Sequence, residues 1–239
     1  MRPGAAVILG LLLIAGCKPA AQDKRPPDAR EFPQAYRPVS PQSADGFSSE
    51  QARDDRREAA TVMDLAMIQP GMTVADIGSG TGYYTVRLAD RVGKKGRVLA
   101  EDIDRDALAR LGSRVETDHL DNVSIKLGTE VDPGLPEHSF DRIFLVHMYH
   151  QVTEPYAFLW HLRPGLKPGG AVIVVEADRP TGQHGIPPKQ LFCEFGQVGF
   201  RLTEFIRKPE LAGYYARFEA DGNRPEPNKI KPCTEPDAG

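Results

Sequence analysis

Three alternate glycines stand between an apolar strand pattern and a helical pattern in the stretch VADIGSGTGYYTVRLA, which runs from Val74 to Ala89. The residues before the glycines have the composition of a short buried strand, and those after them are typical of a helix. At such a junction the first N–H groups of the helix point outward without intrahelical partners. The pattern therefore predicts that a ligand binds to this turn.

Apolar strand patterns alternate with helical patterns between Ser48 and Ala220, and the first helix is predicted over SSEQARDDRREAATVMDLAMI. The predicted strands are TVADI, GRVLAED, NVSIKLG, FDRIFLVHM and AVIVVEA, followed by FRLTEFIRK and GYYARFEA. Alternation at this spacing indicates βαβ units and a parallel sheet with helices on both faces. The last two strands are joined by PELA, which is too short for a helical crossover, so they are expected to pair antiparallel. The predicted fold class is α/β, a three-layer sandwich with a mostly parallel seven-stranded sheet that ends in an antiparallel hairpin.

The glycine turn differs from the dinucleotide signature G-x-G-x-x-G, because its third glycine, Gly82, comes one residue early. Asp76 precedes the first glycine by two positions, where a carboxylate would repel a pyrophosphate and favour an ammonium or sulfonium group. About twenty residues after the turn, Asp102 ends the second strand, where an acidic side chain typically accepts hydrogen bonds from ribose hydroxyls. These features indicate an adenosine derivative with a cationic, amino-acid-like end, and S-adenosylmethionine fits that description.

The same stretches resemble the motifs of the class I S-adenosylmethionine-dependent methyltransferases over about Thr61 to Ala220. The glycine stretch resembles the family's first motif and GRVLAEDID its second, while SFDRIFLVHM and LKPGGAVIVVEA resemble the fourth strand and the loop and strand after it. The resemblance implies a Rossmann-like fold, S-adenosylmethionine as cofactor, and methyl transfer by in-line displacement.

The resemblance also implies the residues of the cofactor site. The turn would approach the methionine part of the cofactor with Asp76 near its amino group, and Asp102 would hold the ribose. The segment GTEVD departs from the commoner Gly-Asp pattern, so the adenine contact stays open between two neighbouring residues. The cofactor residues implied are Asp76, Gly78, Ser79, Gly80, Gly82, Asp102, Ile103, Thr129 and Glu130.

Candidate catalytic residues follow the fourth strand in VHMYHQV, which contains His147, Tyr149 and His150. Ligands in open α/β sheets bind outside the carboxyl ends of the strands. Histidine titrates near neutral pH and is therefore a candidate general base for the acceptor. The alternative is that His147 packs against a helix and His150 caps a turn. No metal site is predicted, because positions three apart on a strand point to opposite faces.

The first twenty residues, MRPGAAVILGLLLIAGCKPA, contain an apolar run of signal-peptide length followed by small residues and Cys17. Their end resembles the lipobox of bacterial lipoproteins, in which the cysteine is lipidated and anchors the mature protein to a membrane. An ordinary signal peptide with a chance cysteine is the alternative. The expected organisation is a signal peptide over 1–17, a proline-rich linker over 18–45, a domain over 46–220 and a flexible tail over 221–239. The expected location is the cell envelope, facing the periplasm.

A net charge of −3 argues against nucleic acid as a partner, and a small molecule or a lipid is the expected acceptor. Cys193 and Cys233 either pair in an exported protein or remain free thiols, and we expect free thiols. A second functional hypothesis is a non-catalytic, membrane-tethered binding protein that retains the fold, since S-adenosylmethionine is made in the cytoplasm. The intact turn and Asp102 favour the enzyme.

Overall fold

The computed structural model describes residues 23–40, 49–211 and 213–233. The predicted signal peptide with Cys17 and part of the predicted linker lie outside these residues. None of the helices within the described ranges is both long and apolar enough to cross a membrane.

Seven strands form one sheet in the order β3-β2-β1-β4-β5-β7-β6. The strands β1 to β5 pair in parallel, whereas β7 pairs antiparallel with both β5 and β6. This topology confirms the predicted fold class, including the antiparallel hairpin. The strands are β1 (Thr73–Ile77), β2 (Arg97–Asp102), β3 (Val123–Leu127), β4 (Phe140–Val146), β5 (Leu166–Glu176), β6 (Phe200–Lys208) and β7 (Gly213–Ala220).

Helices cover both faces of the sheet and complete the three layers. Val74, Phe144 and Ile173 face one apolar core together with α2 and α3, while Ile77 and Leu145 face another with α5 and α6. Because alternate strand residues point to opposite faces, the central strands are apolar on both sides. The helices are α1 (Glu50–Asp55), α2 (Glu58–Leu65), α3 (Tyr83–Val92), α4 (Arg105–Thr117), α5 (Pro155–Leu162) and α6 (Pro188–Gln197).

The first predicted helix is broken into α1 and α2. Ser49 caps α1 as its sequence suggested, accepting a hydrogen bond from the Ala52 N–H at 3.2 Å. Arg57 then adopts a left-handed conformation with φ of 54°, which interrupts the helical hydrogen bonds. The break turns Glu58 into the buried first residue of α2.

The connection from β3 to β4 contains no helix within the described residues 128–139. Its place against the sheet is taken by residues 23–40, which we call the N-terminal strap. Ala29 and Phe32 of the strap are buried in the same apolar core as Val131, and Phe32 packs edge-on against Trp160 with ring centroids 5.5 Å apart. Residues 23–40 of the predicted proline-rich linker therefore pack against the domain, because Ala29 and Phe32 bury apolar side chains in this core.

A buried ion pair fixes the second half of the strap. The Arg37 Nε donates to Glu194 Oε1 at 2.8 Å, and both side chains are almost fully buried. The same guanidinium donates to the carbonyl oxygens of His150 and Val152 at 3.1 and 3.0 Å. A buried charge of this kind requires such partners, which explains why the strap follows one path.

The described part of the predicted flexible tail is also docked. Cys193 in α6 and Cys233 form a disulfide, which corrects the expectation of free thiols. The Cys233 N–H donates to the Tyr156 hydroxyl at 2.6 Å, and the Trp160 indole donates to the Pro225 carbonyl at 2.9 Å. Residues 221–233 therefore pack along α5 and α6 in place of the expected unfolded tail.

Candidate cofactor and substrate site

The glycine turn lies at the carboxyl edge of the sheet, directly after β1. The Ser79 N–H donates to the Glu101 carbonyl at 2.9 Å, and the Gly82 N–H donates to the Ser79 carbonyl at 2.9 Å. These hydrogen bonds tie the turn to the end of β2 and aim it into the start of α3. The three predicted glycines all adopt positive φ, at 68°, 55° and 92° for Gly78, Gly80 and Gly82.

Two of the glycines show why a side chain is disfavoured here. A Cβ on Gly78 would lie 2.9 Å from the Met148 Cγ, so the turn packs closely under the segment that follows β4. Beside Gly80 the space within 4 Å is open, and its φ of 55° is one that other residues rarely adopt. The buried Ser79 hydroxyl has no hydrogen-bond partner among the described residues. The turn therefore offers open space beside Gly80 and a Ser79 hydroxyl that is available to a ligand.

Asp102 joins the turn to the end of β2. Its carboxylate accepts hydrogen bonds from the Gly80 N–H at 2.7 Å and from the Asp104 N–H at 2.9 Å. These bonds fix the orientation of the carboxylate at the carboxyl edge. The neighbouring Ile103 is 38% exposed, which leaves an apolar surface next to the carboxylate. A polar ribose and an apolar base are complementary to these two side chains.

Three carboxyl groups converge around the turn. Asp76 is buried at the end of β1, and burial raises its pKa to about 6 although Thr85 donates to it at 2.6 Å. Glu101 at the end of β2 is also buried, and burial together with the negative charge of Asp102 raises its pKa to about 8. Buried carboxyl groups that repel each other are stabilised by a cation. The electrostatics of the site therefore fit a positively charged ligand.

The two candidates for the adenine contact are exposed after β3. The Thr129 hydroxyl donates to the Asp132 carbonyl at 3.1 Å, which closes a local turn. Glu130 lies 3.5 Å from the Thr153 hydroxyl. Both residues therefore lie at the carboxyl edge, within two positions beyond Gly128.

His147 lies beside a polar cluster that the sequence did not reveal. Its Nε2 is 3.5 Å from Glu58 Oε1, and its backbone is left-handed with φ of 54°. Glu58 also accepts from Arg53 at 2.6 Å and from the Tyr84 hydroxyl at 3.3 Å. Burial alone would raise the pKa of Glu58, but the hydrogen bonds from His147 and Arg53 outweigh burial and lower the pKa to about 2. A permanently ionised carboxylate therefore orients the imidazole.

His150 forms a second histidine–carboxylate pair at the end of β5. Its Nδ1 is 2.9 Å from Glu176 Oε2, and both side chains are buried. The His150 Nε2 has no partner within the described part of the chain. This arrangement fixes the imidazole and leaves one nitrogen unused, although burial separates it from solvent.

Tyr149 occupies a different environment from the two histidines. It is fully buried, and its hydroxyl donates to Glu194 Oε2 at 2.8 Å. Its ring packs against Phe195 with centroids 5.3 Å apart. These contacts give Tyr149 a structural role in holding the Arg37–Glu194 ion pair, in place of the catalytic role expected from its position.

A cleft of about 530 Å³ lies elsewhere, between α2, α3 and α4. Three of the arginines that line it pair with carboxylates: Arg87 with Asp54, Arg91 with Asp64 at 2.8 Å, and Arg114 with Glu50 at 2.7 Å. Within the described ranges no cluster of three or more histidine, cysteine or acidic residues is arranged to hold a metal ion. The carboxyl edge therefore remains the candidate site.

The sheet order, the covering helices and the turn at the carboxyl edge together define a Rossmann-like methyltransferase fold. Residues 74–170 match the family model described as a methyltransferase domain. The ubiquinone/menaquinone biosynthesis C-methyltransferase UbiE of Shewanella sp. (strain W3-18-1) is 34% identical over 149 residues, which cover 61% of this chain and 58% of that protein. The chain thus matches somewhat less than two thirds of this relative's length.

Solved structures agree on the fold. A SAM-dependent methyltransferase from Aquifex aeolicus has a TM-score of 0.62 at 22% identity and covers 72% of this chain and 97% of its own. Coclaurine N-methyltransferase bound to N-methylheliamine and SAH has a TM-score of 0.55 at 18% identity. The match covers 71% of this chain and 54% of that protein. These structures support the fold, and the family match supports a methyltransferase domain over residues 74–170.

Proposed function

We propose that this protein is an S-adenosylmethionine-dependent methyltransferase that acts on a small-molecule or lipid acceptor. The observation that carries the proposal is the convergence of Asp76, Glu101 and Asp102 on an open glycine turn. The burial of Asp76 and Glu101 and the repulsion among the three carboxyl groups favour a ligand with a positive charge. Asp102 is already oriented by the Gly80 N–H at 2.7 Å. The residues that would hold the cofactor are Asp76, Gly78, Ser79, Gly80, Gly82, Asp102 and Ile103.

The bound cofactor would supply a methyl group on a cationic sulfur. As the acceptor forms its bond to the methyl carbon, the carbon–sulfur bond would break, and the sulfur would keep the electron pair as a neutral thioether. The protein's part is to orient the acceptor and to remove its proton. We assign proton removal to His147, because its side chain is partly exposed and Glu58 holds its Nε2. With that nitrogen donating to Glu58, the Nδ1 of the imidazole is the one able to accept a proton. His150 is a second candidate for contact with the acceptor.

The similarity to a C-methyltransferase supports small-molecule methylation. The proposed acceptor is a small molecule or lipid with a weakly acidic carbon, nitrogen or oxygen.

We further propose that Cys17 is lipidated and that the domain faces the periplasm, as its sequence predicts. The disulfide between Cys193 and Cys233 supports an oxidising compartment, because disulfides are rare in the cytosol. The proposed enzyme then depends on exported cofactor.

Calorimetric titration of residues 18–239 with S-adenosylmethionine and S-adenosylhomocysteine tests the proposal. We expect micromolar binding, about −8 kcal/mol. The absence of binding to a folded domain would contradict the proposal. Binding without methyl transfer to any fraction of a membrane extract would favour the non-catalytic, tethered binding protein.

A further inference from the structure

The strap begins at the carboxyl edge of the sheet, beside the proposed site. Arg25 donates to Glu154 Oε2 at 3.3 Å and to the Phe32 carbonyl at 3.1 Å. Glu154 directly precedes α5, and α5 starts at the carboxyl edge because β4 ends there. The adjacent Thr153 contacts Glu130, three residues beyond the end of β3. The first described residues of the chain therefore mark the edge where the ligand site opens.

The chain between Cys17 and this edge is short. Five residues separate Cys17 from Asp23, and the six steps between them span at most about 20 Å when fully extended. A compact domain of about 200 residues has a diameter of roughly 40 Å. A lipid on Cys17 therefore cannot sit at the far side of the domain from the carboxyl edge.

The strap cannot lengthen this tether without losing its contacts. Arg25 is held at its beginning, Phe32 is buried in the core, and Arg37 is bound to Glu194 near its end. The docked strap thus works as a short, fixed attachment and not as a flexible spacer.

The exposed side chains at this edge suit a lipid surface. Tyr36 is 66% exposed beside Arg37, which binds the loop after β4. Leu127 is 38% exposed at the carboxyl end of β3. Tyrosine is favoured where an apolar environment meets water. These two side chains place apolar surface on the side to which the tether leads.

From these observations we infer that the carboxyl edge faces the membrane surface and that the methyl acceptor is a hydrophobic small molecule that resides in the bilayer. The inference rests on the proposed function and on the proposed lipidation of Cys17, and it adds an orientation and a substrate class to them. An acceptor in the membrane would reach His147 without crossing the body of the domain.

Energy transfer tests the orientation without requiring activity. The lipidated full chain is reconstituted into phosphatidylcholine vesicles that carry an acceptor dye on the headgroups. A donor dye is attached through Arg105→Cys, at the carboxyl edge, or through Lys94→Cys, after α3 at the opposite edge; both positions are exposed. We expect transfer from position 105 to be several-fold more efficient than from position 94. Equal transfer, or greater transfer from position 94, would overturn the inference.

A matched control lengthens the tether. Insertion of twenty Gly/Ser residues between Lys18 and Pro19 adds a flexible reach of about 25 Å, and transfer from the two positions is expected to converge. The Cys17→Ser variant, which cannot be lipidated, is the second control. If the parent chain binds the vesicles no better than this variant, the inference is also overturned. Titration of the same vesicles with S-adenosylmethionine reports the proposed function separately, since cofactor binding does not depend on orientation.

The substrate class has its own readout. The reconstituted protein is incubated with methyl-labelled S-adenosylmethionine and vesicles of total membrane lipid, and in parallel with the water-soluble extract. Label extracted into organic solvent from the vesicle sample supports a bilayer acceptor. Label confined to the water-soluble extract would refute it, while leaving the methyltransferase proposal standing.

Discussion

At the scale of single residues, Asp102 connects the glycine turn to the end of β2 through two backbone hydrogen bonds. We predict that Asp102→Ala weakens the affinity for S-adenosylmethionine about tenfold to a hundredfold, because hydrogen bonds to charged groups contribute about 1.5–3 kcal/mol. Calorimetry measures the change, with the exposed Asp121→Ala as the matched control. Unchanged affinity in Asp102→Ala would remove Asp102 from the cofactor site.

The raised pKa values of Asp76 and Glu101 predict that cofactor binding releases protons. Both carboxyl groups hold protons more tightly in the folded protein than in the unfolded chain, with pKa values of about 6 and 8. A cationic ligand favours their ionised forms, so near pH 7 the complex binds fewer protons than the free protein. Titrations in buffers of different ionisation enthalpy measure this release. It should be larger for S-adenosylmethionine than for the uncharged sulfur of S-adenosylhomocysteine, and proton uptake would contradict the assignment.

The raised pKa of Glu101 also determines how the free energy of unfolding changes with pH. Between the ordinary glutamate pKa of 4.5 and the folded value of about 8, the folded protein retains the Glu101 proton that the unfolded chain has lost. The free energy of unfolding therefore falls as pH rises through this window and levels off above it. Glu101→Gln should remove that part of the slope in denaturant titrations. Identical slopes in variant and parent would show that Glu101 is ionised throughout.

Glu58 and His147 lead to a prediction about turnover. We expect His147→Ala to lower methyl transfer to a membrane extract by about 10²–10⁴-fold, the usual contribution of a general base. Glu58→Gln should lower methyl transfer less, because the imidazole then loses the carboxylate that orients it. Cofactor affinity should stay unchanged in His147→Ala. The exposed Asp55→Asn in α1 is the control, and unchanged turnover in Glu58→Gln would leave Glu58 a packing residue.

At the scale of elements, the strap is predicted to be part of the folded domain. Arg37→Ala leaves Glu194 buried without its charge partner, and breaking such a pair costs about 3–5 kcal/mol. The pair of the exposed Arg201 and the half-buried Glu219, 3.5 Å apart, is the control, since Arg201→Ala should cost about 1 kcal/mol or less. Denaturant unfolding distinguishes the two variants. Similar losses in both would mean that the strap adds little to the fold.

The strands, the parallel sheet with its antiparallel hairpin, and the glycine turn were predictable because their sequence signals are local. Strand periodicity, glycine spacing and the position of Asp102 are all read within about twenty residues. The strap was not predictable, because Ala29 and Phe32 are buried only where no helix connects β3 to β4 over residues 128–139. Glu58 gave no signal either, since the break at Arg57 and the docking of α2 decide which face of that segment is buried. Glu101 and Asp102 are adjacent, and the strand period alone does not show which one is buried.

At the scale of the whole molecule, the disulfide ties the described end of the chain to α6. Cys193 and Cys233 are 40 positions apart, and closing a loop of that length stabilises a protein by about 3–4 kcal/mol. The double variant Cys193→Ser, Cys233→Ser should therefore unfold at a lower denaturant concentration. A reducing agent should lower the unfolding midpoint of the parent to that of the variant. The same agent should leave the midpoint of the variant unchanged. Equal midpoints for oxidised parent and variant would show that the tail is held by its other contacts.

The strap also has a consequence for the order in which the molecule forms. Its ion pairs join residues 129 and 157 positions apart in sequence, so their partners are synthesised long after the strap itself. Contacts of such long range pay their chain entropy late and slow folding. The strap thus cannot complete its contacts until Glu194 has been synthesised, and until then the face that Phe32 covers remains open to solvent or to a chaperone.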